Sequence, residues 1–460
     1  MYLSPEFAGA FLALFAVYWL AGKNLRLANL VLLLFSWGFY ASFGLRMLAY
    51  LLVYTVAIHA FGQAIARSRP AWRKPWLVIG ISSLVLNLCA IKYYLPFVTS
   101  SSTWLSQLPA WAAQLLTLDV FAPIGISFIS FQAISLLLEC ARDPVHYRQL
   151  SLGKTALYLA FFPTVIAGPI CRPQLLLPQL NLARHLHDPA KGLALIAQGL
   201  FKKLVVAHWL ASVWVDPLFD NPEAYNGAEL LFGAMAYSIQ IYMDFSGLTD
   251  LVRGLAWLLG FRLPENFRHP YLASNPREFW RRWHISLSTW IRDYIYIPLG
   301  GNRHGALRSQ LNLLLAMLIS GLWHGAGLNY LVWGALHGLG CIITRSDAWH
   351  LPRPLAIACT FLFTTFAWIF FRASDLDAAL NYLRAMGNFE QVLSYNLLGA
   401  CGLLAIFFAS QGWAEKSPAS LGEHLSRLHP LLRTLALLLF VWLCIELGPS
   451  GVPNFIYSQY

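Results

Sequence analysis

The sequence predicts an all-α, polytopic membrane protein, a helical bundle of about ten or eleven spans with additional re-entrant and interfacial helices. Of its 460 residues, 58% are hydrophobic and only 12% are charged, about half the charged share of a soluble domain. The mean hydropathy is +0.56. No polar stretch is long enough to bury a core of its own, and no internal repeat or linker divides the chain. Residues 1–460 are therefore predicted to form a single membrane domain.

Apolar runs long enough to cross a bilayer lie towards both ends of the chain. They fall near residues 6–22, 27–44, 47–65, 75–91, 119–138, 354–371, 393–411 and 431–447. The first run is expected to stay as an uncleaved span, because no basic segment precedes it as in a signal peptide. Basic residues concentrate in the loops at 23–26, 66–74 and 139–154, which predicts that these loops are cytoplasmic and that the N-terminus is periplasmic.

The middle of the chain does not alternate so simply. The run 155–168 contains Pro163 and ends at Gly168-Pro169, so it is predicted to be a re-entrant segment that returns to the cytoplasmic side. The run 193–215 is interrupted by two lysines, and 277–295 mixes Arg with Trp at helical spacing. Both are predicted to be amphipathic or tilted helices at the cytoplasmic interface.

Charge and motif content exclude several classes of protein. The net charge of +11 comes from short loops between apolar spans, as in a membrane protein, and does not indicate nucleic-acid binding. The seven cysteines are scattered without a C-x-x-C pair, so neither a zinc site nor a disulfide framework is expected. No Walker A motif, H-E-x-x-H or nucleophile elbow occurs. We therefore expect no bound metal or cofactor.

A basic, aromatic module between Arg268 and Arg308 is the most distinctive segment. It holds seven arginines against two acidic residues, together with three tryptophans. One interpretation is a positive-inside loop with interfacial tryptophans, in which Glu278 and Arg282 simply pair at i, i+4. The other is an electropositive mouth for a phosphate-bearing ligand, since guanidinium groups bind phosphate well.

Two histidines, His284 and His324, occur in this module and in the apolar run that follows it. His324 is surrounded by Gly321, Gly325 and Gly327, a glycine density that favours a helix break. An imidazole in an apolar setting either bonds to a neighbouring helix or takes part in proton transfer. The two interpretations stay open on local sequence alone, and the case for His337 is weaker.

A third polar island extends from Gln240 to Arg253. Asp244 in this apolar run requires a partner or a water-filled cavity, and Asp250 and Arg253 can neutralise each other on one helix face. A structural ion pair and a polar tunnel wall are both compatible with Asp244 and the nearby Ser246.

Three strings resemble the membrane-bound O-acyltransferase family, in particular its bacterial branch of alginate O-acetylation and teichoic-acid D-alanyl transfer proteins. They are Pro276–Trp290 (PREFWRRWHISLSTW), Tyr294–Arg303 (YIYIPLGGNR) and Gly321–Ala326 (GLWHGA). The resemblance implies a helical bundle around a transmembrane tunnel in the bacterial inner membrane. It places the catalytic histidine on His324 and a second functional histidine on His284.

The reaction implied is transfer of acetyl from cytoplasmic acetyl-CoA, as co-substrate, to a hydroxyl of an exported or cell-wall polysaccharide, with His324 as general base. A separate periplasmic acetyltransferase or esterase-like partner is expected, besides membrane lipid. The residues expected to bind the substrates are Arg277, Arg281, Arg282, Trp283, Asn302, Arg303, Trp323, Asp244 and Ser246.

Two alternatives stay open. The same scaffold could transfer D-alanine from a carrier protein to a cell-envelope polymer. A non-catalytic transporter would also suit discontinuous helices and intramembrane charges, although the chain shows no paired halves. The polysaccharide itself is not specified by the sequence.

Overall fold

A computed structural model of the chain describes residues 2–22, 24–100, 122–186, 188–344, 351–390, 393, 397–416 and 421–448. Over these ranges the regular structure is helical throughout, with α, 3₁₀ and π segments and no β-strand. The predicted all-α class is confirmed. The beginnings of the predicted spans 119–138 and 393–411 lie partly outside the described residues.

The described chain forms two compact units, one made of residues 1–187 and 256–263 and the other of residues 188–255 and 264–460. The first unit contains six longer helices: α1 (Pro5–Leu20), α2 (Leu25–Ala41), α3 (Leu45–Arg67), α4 (Pro70–Ser100), α5 (Ile126–Arg142) and α6 (Leu152–Ala160).

Local sequence determines where these helices begin. The Ser4 side chain accepts a hydrogen bond from the Phe7 amide and Pro5 occupies the first turn of α1, where its missing N–H is not needed. Asn24 caps α2 in the same way, by accepting from the Leu27 amide. Within the first unit, Arg184 bonds to Tyr18 and Asn29 and lies over the ring of Phe261. This half-buried guanidinium joins α1 and α2 to the segment 256–263.

The segment predicted to be re-entrant does break and turn back. Helix α6 ends at Ala160, and a one-turn helix, Phe162–Val165, follows. The Tyr158 hydroxyl donates to the Cys171 carbonyl at 2.9 Å, so the chain beyond the break returns alongside α6.

The second unit contains the remaining helices. They are α7 (Pro189–Leu200, continued in α- and π-helical turns to Asp220), α8 (Gly227–Leu258), α9 (Pro276–Arg282), α10 (Ile285–Ile291), α11 (Gly305–His324), α12 (Leu328–Ile343), α13 (Arg353–Arg372), α14 (Leu376–Ala385), α15 (Leu397–Lys416), α16 (Leu421–Ser426) and α17 (Pro430–Leu447). The last residues of α8 belong to the first unit.

One of the two expectations for the middle of the chain was wrong, and the interfacial position of the other helix stays a prediction. The run 193–215 lies within one 32-residue helix, Pro189–Asp220, which is long and apolar enough to cross a membrane. Its lysines are compatible with this because Lys202 and Lys203 pair with Asp250 and Asp244 of α8. The run 277–295 is not one helix, because α9 and α10 are separated by a break at Trp283-His284.

Six of the described helices are long and apolar enough to span a bilayer, and three shorter apolar helices accompany them. The six are Leu45–Arg67, Pro70–Tyr94, Pro189–Asp220, Gly305–His324, Arg353–Arg372 and Leu397–Lys416. The shorter helices are Pro5–Leu20, Leu25–Ala41 and Leu328–Ile343. The chain is therefore a polytopic helical membrane protein.

Candidate active site

His284 lies at the break between α9 and α10, in an unusual backbone conformation. Its φ is 39° and its ψ is 55°, the left-handed region that residues other than glycine rarely adopt. Asn266 secures the break: its carbonyl accepts from the Ile285 amide at 3.0 Å, and its side chain accepts from the Ser286 amide at 3.2 Å. The strained backbone is thus held by hydrogen bonds from a preceding loop.

Residues 266–268 of this loop lie beside residues 282–285 and are joined to them by backbone hydrogen bonds. The Arg268 amide donates to the Arg282 carbonyl at 3.0 Å, next to the bonds made by Asn266. Side chains consequently alternate: Arg268 and Arg282 face a cavity described below, whereas Phe267 and Trp283 contact each other at 5.0 Å between ring centroids. These two paired segments therefore present charged groups to the cavity and aromatic rings to the protein core.

His324 is the last residue of α11, and the chain turns at Gly325–Gly327 before α12 begins. The two helices pack as a close hairpin. A Cβ atom on Gly321 would lie 2.3 Å from the Tyr330 carbonyl oxygen, and one on Gly334 would lie 2.6 Å from that of Met317. Only glycine permits this approach, and the approach orients the end of α11 that carries His324. The predicted break is confirmed.

The two imidazoles contact the same indole. The ring centroid of Trp323 lies 6.5 Å from that of His284 and 4.7 Å from that of His324. Both histidines are buried, with 1% and 3% of their surface exposed. Phe245 contacts His284 at 4.7 Å, and Trp333 and Phe371 enclose His324 at 5.0 and 4.9 Å. The histidines thus share one aromatic chamber.

Burial sets the protonation state of His284, which lies outside the apolar helices. Loss of water around the ring lowers its pKa to about 3, because the charged imidazolium is poorly solvated there. Among the described residues its Nε2 atom has no hydrogen-bond partner. His284 is therefore a neutral imidazole at physiological pH, with a nitrogen available to a ligand.

A charged cavity of about 540 Å³ lies beside the break. It is lined by Glu265, Arg268, His269, Arg281, Arg282 and Glu415. Arg282 pairs with Glu278 and with Glu415, each at 2.7 Å, and Arg268 pairs with Glu265 at 2.9 Å. Although burial opposes it, these carboxylates raise the pKa of Arg282. The wall therefore carries three guanidinium groups, two of them already held by carboxylates.

A family model of membrane-bound O-acyltransferases matches residues 113–371, more than half of the chain. The chain belongs to this family. It is an O-acyltransferase, as the family model and its relatives indicate.

Three relatives illustrate the range of this O-acyltransferase family. A probable alginate O-acetylase AlgI of Pseudomonas putida is 35% identical over the full length of both chains. A peptidoglycan O-acetyltransferase of Helicobacter pylori is 34% identical and covers 84% of this chain and 79% of its own. A teichoic acid D-alanyltransferase of Bacillus subtilis is 28% identical, over 54% of this chain and 68% of its own.

The structure of this O-acyltransferase brings some of the sequence-predicted residues together and leaves others apart. Arg281 and Arg282 line the charged cavity, and Trp323 lies between the histidines. Arg277, Asn302 and Arg303 are exposed and are not part of the cavity wall.

The remaining predicted residues are buried. Trp283 stacks on Phe279 at 5.4 Å within the aromatic core. Asp244 forms a buried ion pair with Lys203, which supplies the partner that this carboxylate requires. The Ser246 hydroxyl is buried without a hydrogen-bond partner in the described part of the chain. In that part, no group of three or more His, Cys, Asp or Glu side chains could hold a metal ion.

Several residues at the site could not be identified from the sequence. Asn266 lies in a loop without a recognisable motif. Its position two residues before the basic module is the one feature of the sequence that points to it. Gln411 and Glu415 reach the charged cavity from α15. They lie 142 residues after His269 and 133 residues after Arg282, their respective partners, so no local pattern indicates them. His337 is fully buried among aromatic rings, in contact with Trp333 at 5.0 Å.

Proposed function

We propose that this O-acyltransferase moves an acetyl group from cytoplasmic acetyl-CoA to a hydroxyl of an exported or cell-wall polysaccharide. The observation that carries the proposal is the contact of one indole, Trp323, with both His284 and His324 in a buried chamber. Relatives named for alginate and peptidoglycan O-acetylation align over most of the chain, which supports acetyl as the group transferred and a polysaccharide as the acceptor.

In the proposed reaction, His324 acts as general base. Its imidazole takes the proton of the acceptor hydroxyl as the oxygen attacks the thioester carbonyl, and the proton then passes to the sulfur of the departing thiol. A carbon–oxygen bond forms and a carbon–sulfur bond breaks. The aromatic chamber contributes by excluding bulk water and by holding both reactants in line.

His284 is proposed to act on the donor. Because burial keeps its ring neutral, it can donate one N–H to the thioester carbonyl without placing a full positive charge in the chamber. A donor directed at the oxygen that gains negative charge stabilises the tetrahedral intermediate.

The charged cavity is proposed to bind the phosphates of the donor. Arg281 and Arg282 on its wall offer planar guanidinium groups that suit phosphate oxygens. In this proposal the cavity opens on the cytoplasmic side of a bacterial inner membrane, and the N-terminus lies in the periplasm. A separate periplasmic acetyltransferase or esterase-like protein completes placement of the acetyl group on the polymer.

The test is replacement of His324 in cells that export the acetylated polymer. We expect His324→Ala to lower acetate on the polymer at least about a hundredfold, the usual contribution of a general base. His304→Ala, at an exposed histidine of the basic module between Arg268 and Arg308, is the control and should leave acetylation unchanged. Normal acetylation by His324→Ala at wild-type protein levels would refute the proposed base.

D-alanyl transfer is the second candidate function, because a teichoic acid D-alanyltransferase also aligns with this chain, although over only about half of it. Purified protein supplied with acetyl-CoA and an acceptor sugar, without a carrier protein, distinguishes the two. Release of free thiol dependent on an acceptor sugar supports acetyl transfer, and a requirement for an acidic carrier protein supports D-alanyl transfer. A transporter would release no thiol with either donor.

A further inference from the structure

One face of α15 connects the charged cavity to the aromatic core. One side of this helix carries Phe407, Gln411 and Glu415, because these residues are spaced four positions apart. Phe407 contacts the rings of Tyr242 and Tyr271, at 6.2 and 6.1 Å. Glu415 pairs with Arg282 on the cavity wall. Gln411 lies between these apolar and charged contacts.

The side-chain oxygen of Gln411 accepts two hydrogen bonds. His269 donates from Nδ1 at 3.0 Å, and the Tyr242 hydroxyl donates at 3.3 Å. Gln411 is buried, with 8% of its surface exposed. A buried amide oxygen without hydrogen-bond donors is energetically unfavourable. The two hydrogen bonds therefore stabilise His269 and Tyr242 in their observed positions.

The two partners belong to different parts of the site. His269 lines the charged cavity. Because the amide oxygen of Gln411 can only accept, Nδ1 of His269 is the donor, and this hydrogen bond fixes the orientation of the imidazole ring.

Tyr242 belongs to an aromatic layer that covers His284, formed by Tyr242, Phe245, Phe267 and Trp283. Its ring centroid lies 5.6 Å from Phe267 and 6.2 Å from Trp283. Phe267 in turn contacts Phe245 at 5.1 Å, and Phe245 contacts His284. Arg268 and Arg282, which line the cavity, directly neighbour Phe267 and Trp283 in sequence, so the aromatic layer adjoins the cavity wall.

We propose that Gln411 is a positioning residue of the transfer reaction, which couples the donor-binding wall at His269 to the aromatic layer at Tyr242. The proposal rests on the proposed function of the charged cavity as the donor site. Through His269, Gln411 orients a ring that contacts the bound donor. Through Tyr242, it holds the layer closed against water until the donor enters.

Two consequences follow that can be measured separately. Loss of the His269 contact weakens donor binding and raises the KM for acetyl-CoA. Loss of the Tyr242 anchor loosens the layer, and water then reaches the thioester in place of the acceptor hydroxyl. In that side reaction the carbon–sulfur bond breaks, a carbon–oxygen bond forms to water, and acetate and free thiol are released.

The experiment uses the full-length protein in lipid nanodiscs with acetyl-CoA and an acceptor oligosaccharide, and it measures free thiol and acetylated sugar together. The ratio of hydrolysis to transfer does not depend on how much of the protein is folded, so a merely structural effect leaves it unchanged. Four variants are compared with wild type: Gln411→Leu, Tyr242→Phe, His269→Phe and Ser410→Ala. Among the described residues, the Ser410 hydroxyl bonds only within α15, to the Phe407 carbonyl, and this residue serves as the matched control.

We expect Tyr242→Phe to raise the hydrolysis ratio about fivefold with KM unchanged, and His269→Phe to raise KM about fivefold with the ratio unchanged, the factor of one lost hydrogen bond. Gln411→Leu should change both, and Ser410→Ala neither. Wild-type values of both quantities in Gln411→Leu overturn the proposal. Absence of thiol release by the wild-type protein overturns the proposed function instead.

Discussion

The buried ion pair between Lys203 of α7 and Asp244 of α8 should dominate the packing of these two helices. Their side chains are only 4% and 5% exposed. Removing one partner of such a pair leaves the other charge buried and opposed by an apolar environment, which costs about 3–5 kcal/mol. We therefore expect Lys203→Met and Asp244→Asn each to destabilise the protein by about this amount.

The neighbouring pair, Lys202 with Asp250, is the matched control. These side chains are 25% and 13% exposed, and Arg253 lies 3.6 Å from Asp250 as a second cation. Lys202→Met thus leaves a carboxylate that is still partnered and partly hydrated, and should cost about 1 kcal/mol or less.

Chemical denaturation of the purified protein in detergent, followed by tryptophan fluorescence, measures these differences. The double variant Lys203→Met, Asp244→Asn should be less destabilised than the sum of the two single variants, because no lone charge is left buried. Equal stability of Lys203→Met and Lys202→Met would refute the argument from burial. Loss of acyl transfer in a stable double variant would show that Asp244 also serves a polar passage.

Three further predictions concern the histidine break and the helix hairpin. The pKa of His284, about 3 in the folded state against an ordinary value of about 6.5, means that the unfolded state binds the extra proton. The free energy of unfolding should therefore fall below pH 6.5, by up to about 1.4 kcal/mol per pH unit, and His284→Gln should flatten this slope in denaturation at pH 6.5 and 5.0. Gly321→Ala should destabilise the protein, because its Cβ would meet the Tyr330 carbonyl oxygen at 2.3 Å. Gly402→Ala, with open space around it, should stabilise the protein by about 0.5–1 kcal/mol. The same chemical denaturation measures both changes, and a shared sign would contradict the packing argument. Asn266→Ala removes the acceptor of the Ser286 amide and should lower stability by about 1–2 kcal/mol and transfer activity more than tenfold; unchanged activity would show that the backbone of His284 needs no such support.

Features that depend on short-range pattern could be predicted from the sequence. The break at Gly325–Gly327 follows from glycine density, and the ion pair of Glu278 with Arg282 follows from i, i+4 spacing. The all-α membrane class follows from composition alone. Each of these rests on interactions within a few residues or on an average over the whole chain.

Features that depend on a distant partner could not be predicted. The lysines of α7 suggested an interfacial helix because their partners, Asp244 and Asp250, lie more than 40 residues away. The pattern of 277–295 suggested one continuous helix because helical spacing says nothing of the hydrogen bonds by which Asn266 holds the break. At the break, tertiary contacts decide the outcome against the local pattern, and at α7 they neutralise lysines that the local pattern leaves unpaired.

The function of the arginines also depends on distant partners that the local sequence does not show. One interpretation of the basic module was a single electropositive mouth. In the structure, Arg282 pairs with Glu278 and Glu415, whereas Arg281 makes no ion pair with the described residues. A phosphate at the charged cavity must compete with these carboxylates for Arg282, but it meets Arg281 without such competition. It follows that Arg281 is the better candidate for direct phosphate binding. Arg282 is better placed to join α9 to α15, where Gln411 continues the same connection into the aromatic layer over His284.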